Sequence, residues 1–159
     1  GHIALHEPDP AMFRRLWNDE EGTERKFIGE WMDTSDLGYC DEDGRLWFKS
    51  RDDNLIITQG YRVGPPEVED SIIELSEVAN VGVIGVENDQ RGEIVKAYVE
   101  PKPGVEPGAE LREKIQTHVR EQLAKYQYPR EIEFIDEMPT TVTGKVRRHE
   151  LEELEAQNQ

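Results

Sequence analysis

VANVGVIGVENDQRGEIVKAYVE, residues Val78 to Glu100, decides the fold. Two β-rich runs, Val78 to Val86 and Glu93 to Glu100, are separated by the polar turn Glu87 to Gly92, which predicts two strands joined by that turn. On the N-terminal side, Pro65-Pro66 opens a helix, since proline is tolerated in a first turn where the amide has no partner anyway. Val68, Ile72, Ile73 and Leu75 are predicted as its buried stripe. Further back, Leu55 to Thr58 and Tyr61 to Val63 straddle Gln59-Gly60 and predict a short antiparallel pair. On the C-terminal side, Leu111, Ile115, Val119 and Leu123 recur at four-residue spacing, the mark of an amphipathic helix. Ile132 to Ile135 predicts a further strand and Arg148 to Glu155 a terminal helix. The sum is an α+β domain over 54–159: a short two-stranded hairpin and a three-stranded sheet, with helices segregated to one face.

Residues 1–53 have a different texture. They carry all three tryptophans, Trp17, Trp31 and Trp47, and strand-like runs at Ile3 to His6, Trp31 to Thr34 and Arg45 to Lys49. The last two flank Asp41-Glu42-Asp43-Gly44, whose Asp-Gly step favours a tight hairpin. Ala11 to Trp17 and Thr23 to Phe27 are predicted as short helices. The opening Gly1-His2-Ile3-Ala4-Leu5 reads like the interior of a strand, so the chain is expected to be part of a longer protein.

The 159 residues hold 35 Asp and Glu against 19 Lys and Arg, a formal net charge of -16. Such a surface repels nucleic acid, and its self-repulsion at low ionic strength suits a protein from salt-rich cytoplasm. An ordinarily acidic soluble protein is the alternative. The single cysteine, Cys40, excludes an internal disulfide and a thiolate zinc site, and is expected to be buried. No apolar run approaches a membrane span, and no signal-peptide pattern is present. A cytoplasmic location is therefore expected. His2, His6, His118 and His149 are too scattered to form a ligand set, and the acidic run Glu150, Glu152, Glu153 and Glu155 reads as a solvated helix face, so no metal site is expected.

Two stretches point to chemistry. PTTVTGKVRR, Pro139 to Arg148, sets Lys145 after a Thr-Gly pair in a loop; this is either a solvated turn or a cation presented to developing negative charge. Ser50-Arg51-Asp52-Asp53-Asn54 lies between the two textures and is either a solvated linker or a hinge pivoting at Asp53.

Taken in order, Thr34-Ser35-Asp36-Leu37-Gly38-Tyr39, Asp41 to Gly44, Arg51-Asp52-Asp53, Gly60-Tyr61-Arg62-Val63-Gly64-Pro65, Glu67-Val68-Glu69, Arg91-Gly92-Glu93 and Pro139 to Arg148 resemble the adenylate-forming (AMP-binding) enzymes. The likeness is to their acyl-CoA synthetase branch, of the acetyl and medium-chain kind, and it spans essentially the whole chain. The resemblance implies that 1–53 is the distal part of a large N-terminal AMP-binding domain ending in the hinge, and that 54–159 is a mobile C-terminal domain. It implies an enzyme that activates a carboxylic acid with ATP to an acyl-adenylate and passes the acyl group to coenzyme A. The magnesium-binding carboxylate, phosphate loop and acyl pocket of that family are not among these residues, so this piece alone is expected to be inactive.

By the same resemblance Lys145 is the catalytic lysine, Asp36 grips the ribose hydroxyls of the nucleotide, and Arg51 contacts its ribose or phosphate side. Asp53 becomes the hinge, and Gly60, Tyr61 and Arg62 line the path of coenzyme A, with Arg147 or Arg148 as further candidates for its phosphates. Four positions depart from the family pattern. Ser35 and Ser50 replace glycines, and Ile57 and Gln127 stand where lysine is frequent. Alternatives are a related adenylating domain with a carrier-protein pantetheine as acceptor, a noncatalytic nucleotide- or CoA-binding module, and a plain α+β interaction domain.

Overall fold

The computed structural model describes residues 1–10 and 12–158, and the chain forms two compact units, Gly1–Asp53 and Asn54–Gln159. The first is a four-stranded antiparallel sheet built around one long strand, β3 (Trp31–Cys40). β1 (His2–His6) pairs one side of it, and β2 (Phe27–Ile28) and β4 (Leu46–Arg51) pair the other. The α-helix of this unit, α1 (Glu20–Arg25), starts where the Asp19 carboxylate accepts the Gly22 amide hydrogen at 2.8 Å. That cap satisfies one of the donors every helix start leaves unpaired.

Two predicted helices are thus corrected. Met12 to Trp17 is not helical, while Ala11 lies outside the described residues. The second helix begins three residues earlier than Thr23 and stops before Phe27, which joins β2. Cys40 is exposed, not buried, because it sits at the turn end of the β3–β4 hairpin, opposite Leu46. Met32 is the only buried hydrophobic side chain of this unit among the described residues, whereas Trp31, Tyr39, Trp47 and Phe48 are exposed.

The second unit contains the stretch that opened the sequence. β7 (Val78–Asn88) and β8 (Gly92–Pro101) pair antiparallel along their whole length. On the other side of β8, β9 (Glu131–Phe134) pairs in parallel, and the hairpin of β5 (Ile56–Thr58) and β6 (Tyr61–Val63) joins through Thr58 and Gly92. The two-stranded hairpin and three-stranded sheet therefore form one five-stranded sheet.

Both faces of that sheet are covered, which is why β7 and β8 read as nearly continuous apolar runs. Val81, Val83, Val95, Ala97 and Val99 face a core closed by α2 (Pro65–Ile73) and α3 (Ala109–Gln122). The alternate positions Ile84, Val86, Ile94 and Tyr98 face a second, smaller core closed by Met138 and by Leu151 of α4 (Arg148–Asn158). The helices are consequently not confined to one face, as the sequence reading had it. In α2 the buried positions are Pro65, Val68, Ser71 and Ile72, with Leu75 just beyond the helix; Ile73, one residue round from Ile72, points outward.

Gly82 explains how α4 seats. A Cβ there would lie 2.5 Å from Leu151 Cδ1 and 2.9 Å from Val146 Cγ1, so only glycine lets this segment lie flat on β7. Leu151 is completely buried, and its truncation to alanine would cost about 2–5 kcal/mol. No helix among the described residues is long and apolar enough to cross a membrane.

Candidate nucleotide and acyl-transfer site

In the first unit, β3 and β4 set Asp36 directly opposite Arg51. The Arg51 guanidinium donates to Asp53 through Nε (3.0 Å) and Nη2 (2.7 Å), and reaches Asp36 through Nη1 at 3.3 Å. The hydrogen bond to Asp53 raises Arg51 above its already high pKa, and the same bond holds the Asp53 carboxyl below the usual carboxylate range. Asp36, Arg51 and Asp53 are therefore one connected cluster, and Asp53 is the middle residue of the 3-10 turn Asp52–Asn54 through which the backbone passes to the second unit.

The bend that presents Asp36 is strained. Ser35 has φ of +61°, a left-handed conformation that glycine adopts freely and other residues pay about 1–2 kcal/mol to enter. Local bonds hold it there: the Ser35 amide donates to Asp33 Oδ1 at 2.9 Å, and the Lys26 ammonium donates to its hydroxyl. Thr34 Oγ1 accepts the Asp36 amide at 3.1 Å and donates to the Ile3 carbonyl at 2.7 Å.

In the second unit, Gln59 and Gly60 both have positive φ, +51° and +83°, the pattern of a type I′ turn whose twist matches the flanking strands. Tyr61 is half exposed and stacks on Tyr126 with ring centroids 4.2 Å apart and planes within 7°. Arg62 is exposed beside it.

Lys145 ends a second tight turn. Gly144 donates its amide hydrogen to the Thr141 carbonyl at 2.9 Å with φ of +81°, and Thr141 donates to the Lys145 carbonyl at 2.8 Å. Thr140 and Val146 then bridge, closing the base of the loop. The Lys145 side chain is exposed, and its ammonium makes no hydrogen bond or ion pair among the described residues. Arg45, Lys96, Lys114, Arg147 and Arg148 have each found a carboxylate, whereas the Lys145 loop leaves its charge facing outward in a chain of net charge -16.

No hydrogen bond or ion pair among the described residues links Lys145 to the Gly60-Tyr61-Arg62 turn. Arg148 is committed elsewhere, to Glu69, and Arg147 pairs with Glu150 at 2.5 Å. Gln127 is buried, donating to Glu67 at 2.6 Å and accepting from the Ala124 amide, so at that position the chain has a loop clasp. Ile57 is exposed on the β5–β6 hairpin. Among the described residues no group of three or more His, Cys, Asp or Glu side chains could hold a metal.

An α+β unit with a glycine-bent lysine loop at the foot of its last helix, preceded by an Asp–Arg pair on a β-hairpin, defines the C-terminal portion of an adenylate-forming enzyme. Residues 67–145 match the AMP-binding enzyme C-terminal domain, and the chain belongs to that family. It is 42% identical over 152 residues to acetyl-coenzyme A synthetase of Bacillus subtilis, covering 95% of this chain and 27% of that protein. It is 40% identical over 160 residues to a mitochondrial acyl-coenzyme A synthetase of Mus musculus, covering 98% of this chain and 28% of that one.

Among solved structures, o-succinylbenzoate CoA synthetase of Bacillus subtilis, in complex with its acyl-adenylate intermediate, matches with a TM-score of 0.82 at 30% identity. That match covers 95% of this chain and 31% of the other. The chain thus spans under a third of the length of these relatives.

Proposed function

We propose that this chain is the C-terminal part of a cytoplasmic AMP-forming acyl-CoA synthetase. In the first half-reaction a carboxylate oxygen attacks the α-phosphorus of ATP, the bond to the bridging oxygen breaks, and pyrophosphate leaves. In the second, the thiol sulfur of coenzyme A attacks the acyl carbon, AMP leaves, and the thiol proton passes to solvent. The observation that carries the reading is the unpaired ammonium of Lys145 on a closed, glycine-bent loop. A preorganised cation lowers a barrier only where charge develops, here on the α-phosphate as two anions approach each other.

Asp36 would accept hydrogen bonds from the ribose hydroxyls, with Arg51 beside it for the ribose or phosphate side. Asp53 would be the pivot about which residues 54–159 turn between half-reactions. Gly60, Tyr61 and Arg62 would line the route of the pantetheine arm: glycine lets backbone approach a ligand, and the stacked Tyr61 ring gives a rigid apolar wall. ATP and coenzyme A are the co-substrates that the relatives' chemistry implies, alongside a carboxylic acid that belongs to fatty acid metabolism. Magnesium would be held by the large N-terminal domain, so no step is assigned to it here. The exposed aromatic sheet of residues 1–53 accords with packing against that partner domain.

The test is Lys145→Ala in the full-length enzyme. Pyrophosphate exchange should fall about a hundredfold or more, while transfer from presynthesised acyl-adenylate to coenzyme A should be largely kept. Equal loss of both half-reactions would contradict the assignment.

A further inference from the structure

Val83 lies on β7, the strand at the outer edge of the five-stranded sheet, where backbone groups facing away from β8 have no strand to pair with. Two side chains supply the partners. Glu69 Oε1, from α2, accepts the Val83 amide hydrogen at 2.9 Å. Arg148, the first residue of α4, donates from Nε to the Val83 carbonyl at 3.3 Å. The same two side chains then close on each other, with Arg148 Nη2 2.7 Å and 2.6 Å from the two oxygens of Glu69. Both are mostly buried, at 24% and 17% side-chain exposure, so the pair is far less screened than the surface ion pairs of this chain.

This clasp lies three residues beyond Lys145. Val146, next to the lysine, rests in the space left open by Gly82, one residue before Val83 on the same strand. The Arg147 amide donates to the Pro139 carbonyl at 2.9 Å, so both legs of the loop are tied at the level of the clasp. A direction for Lys145 is thereby set from outside the loop itself.

We infer that Glu69 and Arg148 are positioning residues for adenylation: by clamping the start of α4 to the edge of β7 they hold the loop at the height and angle from which Lys145 works. The inference rests on the adenylation role of Lys145. It assigns to Glu69 and Arg148 no contact with substrate, and it removes Arg148 from the residues available to coenzyme A. A loop displaced by about 1 Å can lose about a hundredfold in rate, so a partner outside the loop can matter as much as a residue in it.

The experiment uses the full-length enzyme with the acid, among acetate, butyrate and octanoate, that supports the fastest pyrophosphate exchange. Glu69→Gln and Arg148→Lys are compared with wild type in exchange and in acyl transfer from the matching synthetic acyl-adenylate. Expected is a fall of about 10- to 100-fold in kcat for exchange, with the KM for ATP near wild type and transfer preserved. The decisive arm is the cycle with Lys145→Ala. If the clasp acts through the lysine, Glu69→Gln should add no further loss to Lys145→Ala.

Additive losses in that cycle, or equal damage to both half-reactions, would overturn the inference. Should Glu69→Gln not fold, Glu69→Asp, which keeps the charge and shortens the reach, gives the same readout. Intact exchange in Lys145→Ala alone would overturn the functional reading itself, and with it the clasp, and that single variant tells the two failures apart.

Discussion

Arg51 grips Asp53 with two parallel hydrogen bonds, at 3.0 and 2.7 Å, in the last three residues before the chain enters its second unit. The fork fits a carboxylate plane well, but the pair is more than two-fifths exposed on both sides, so its contribution to stability is under about 1 kcal/mol. Its interest lies in what it restrains, since Arg51 also reaches Asp36.

The depressed Asp53 pKa fixes the sign of a pH effect. A group whose folded pKa lies below its unfolded value stabilises the fold above the unfolded pKa and loses that contribution as pH falls through the folded one. The Arg51–Asp53 contact is therefore expected to be fully formed at pH 7 and to weaken below about pH 4. Asp53→Asn should abolish that acid-side dependence of the contact, leave the melting temperature at pH 7 nearly unchanged, and alter the transfer half-reaction more than adenylation. A melting temperature lowered by many degrees would show that Asp53 is a structural anchor and not a pivot.

A second pH effect is expected at the alkaline end. Lys96 and Tyr98 lie buried beneath α4; Tyr98 donates to Glu155 at 2.6 Å, and Lys96 pairs with Glu133 at 2.9 Å and with Glu155. Burial alone pushes the lysine down, but its bonds to Glu133, Glu155 and Tyr98 together outweigh that and raise it; burial and Glu155 both push the tyrosine up. Both folded values exceed the unfolded ones, near 10, so stability is complete below about pH 10 and lost as pH rises above it. The urea midpoint followed by far-UV circular dichroism should be level from pH 7 to 9 and fall beyond 10. Tyr98→Phe should cost about 1–3 kcal/mol at pH 7 by stripping Glu155 of a donor, and should flatten the alkaline fall. A wild-type midpoint unchanged at pH 11 would refute this account.

These buried polar groups also mark the limit of what the sequence disclosed. β7 and β8 were legible because apolar residues on both faces leave few other readings, and α3 because Leu111, Ile115 and Val119 repeat at four. The Lys145 loop and the Asp36 turn were legible as motifs, since glycine and threonine at fixed offsets betray turn chemistry. Long-range pairing was not: Glu69 and Arg148 stand 79 residues apart, and Lys96 and Glu155 59. Glu155 read as part of a solvated helix face, while its side chain is only 13% exposed. Ser35 stands where the family pattern has glycine, and the strain of that replacement shows only in its positive φ. Ile73 is apolar yet stands about 100° round the helix from Ile72, so apolar character alone does not place it in the core.

The acidity yields the last prediction. Pairing every Lys and Arg with a carboxylate would still leave the net -16, and Glu150, Glu152, Glu153 and Glu155 all lie on one helix, α4. Salt acts on this in opposite directions. It weakens exposed pairs such as Arg45 with Asp43 at 2.9 Å, each worth under about 1 kcal/mol, and it relieves the far more numerous like-charge repulsions. Screening reaches about 10 Å at 0.1 M and about 3 Å at 1 M, so repulsion between neighbouring carboxylates continues to relax well past physiological salt. Helical ellipticity and melting temperature are therefore expected to climb with KCl up to molar concentrations, the response that adaptation to a salt-rich cytoplasm would give. A rise that saturates near 0.2 M would indicate an ordinarily acidic protein, and a flat response would show that the pairs, not the repulsion, govern the balance.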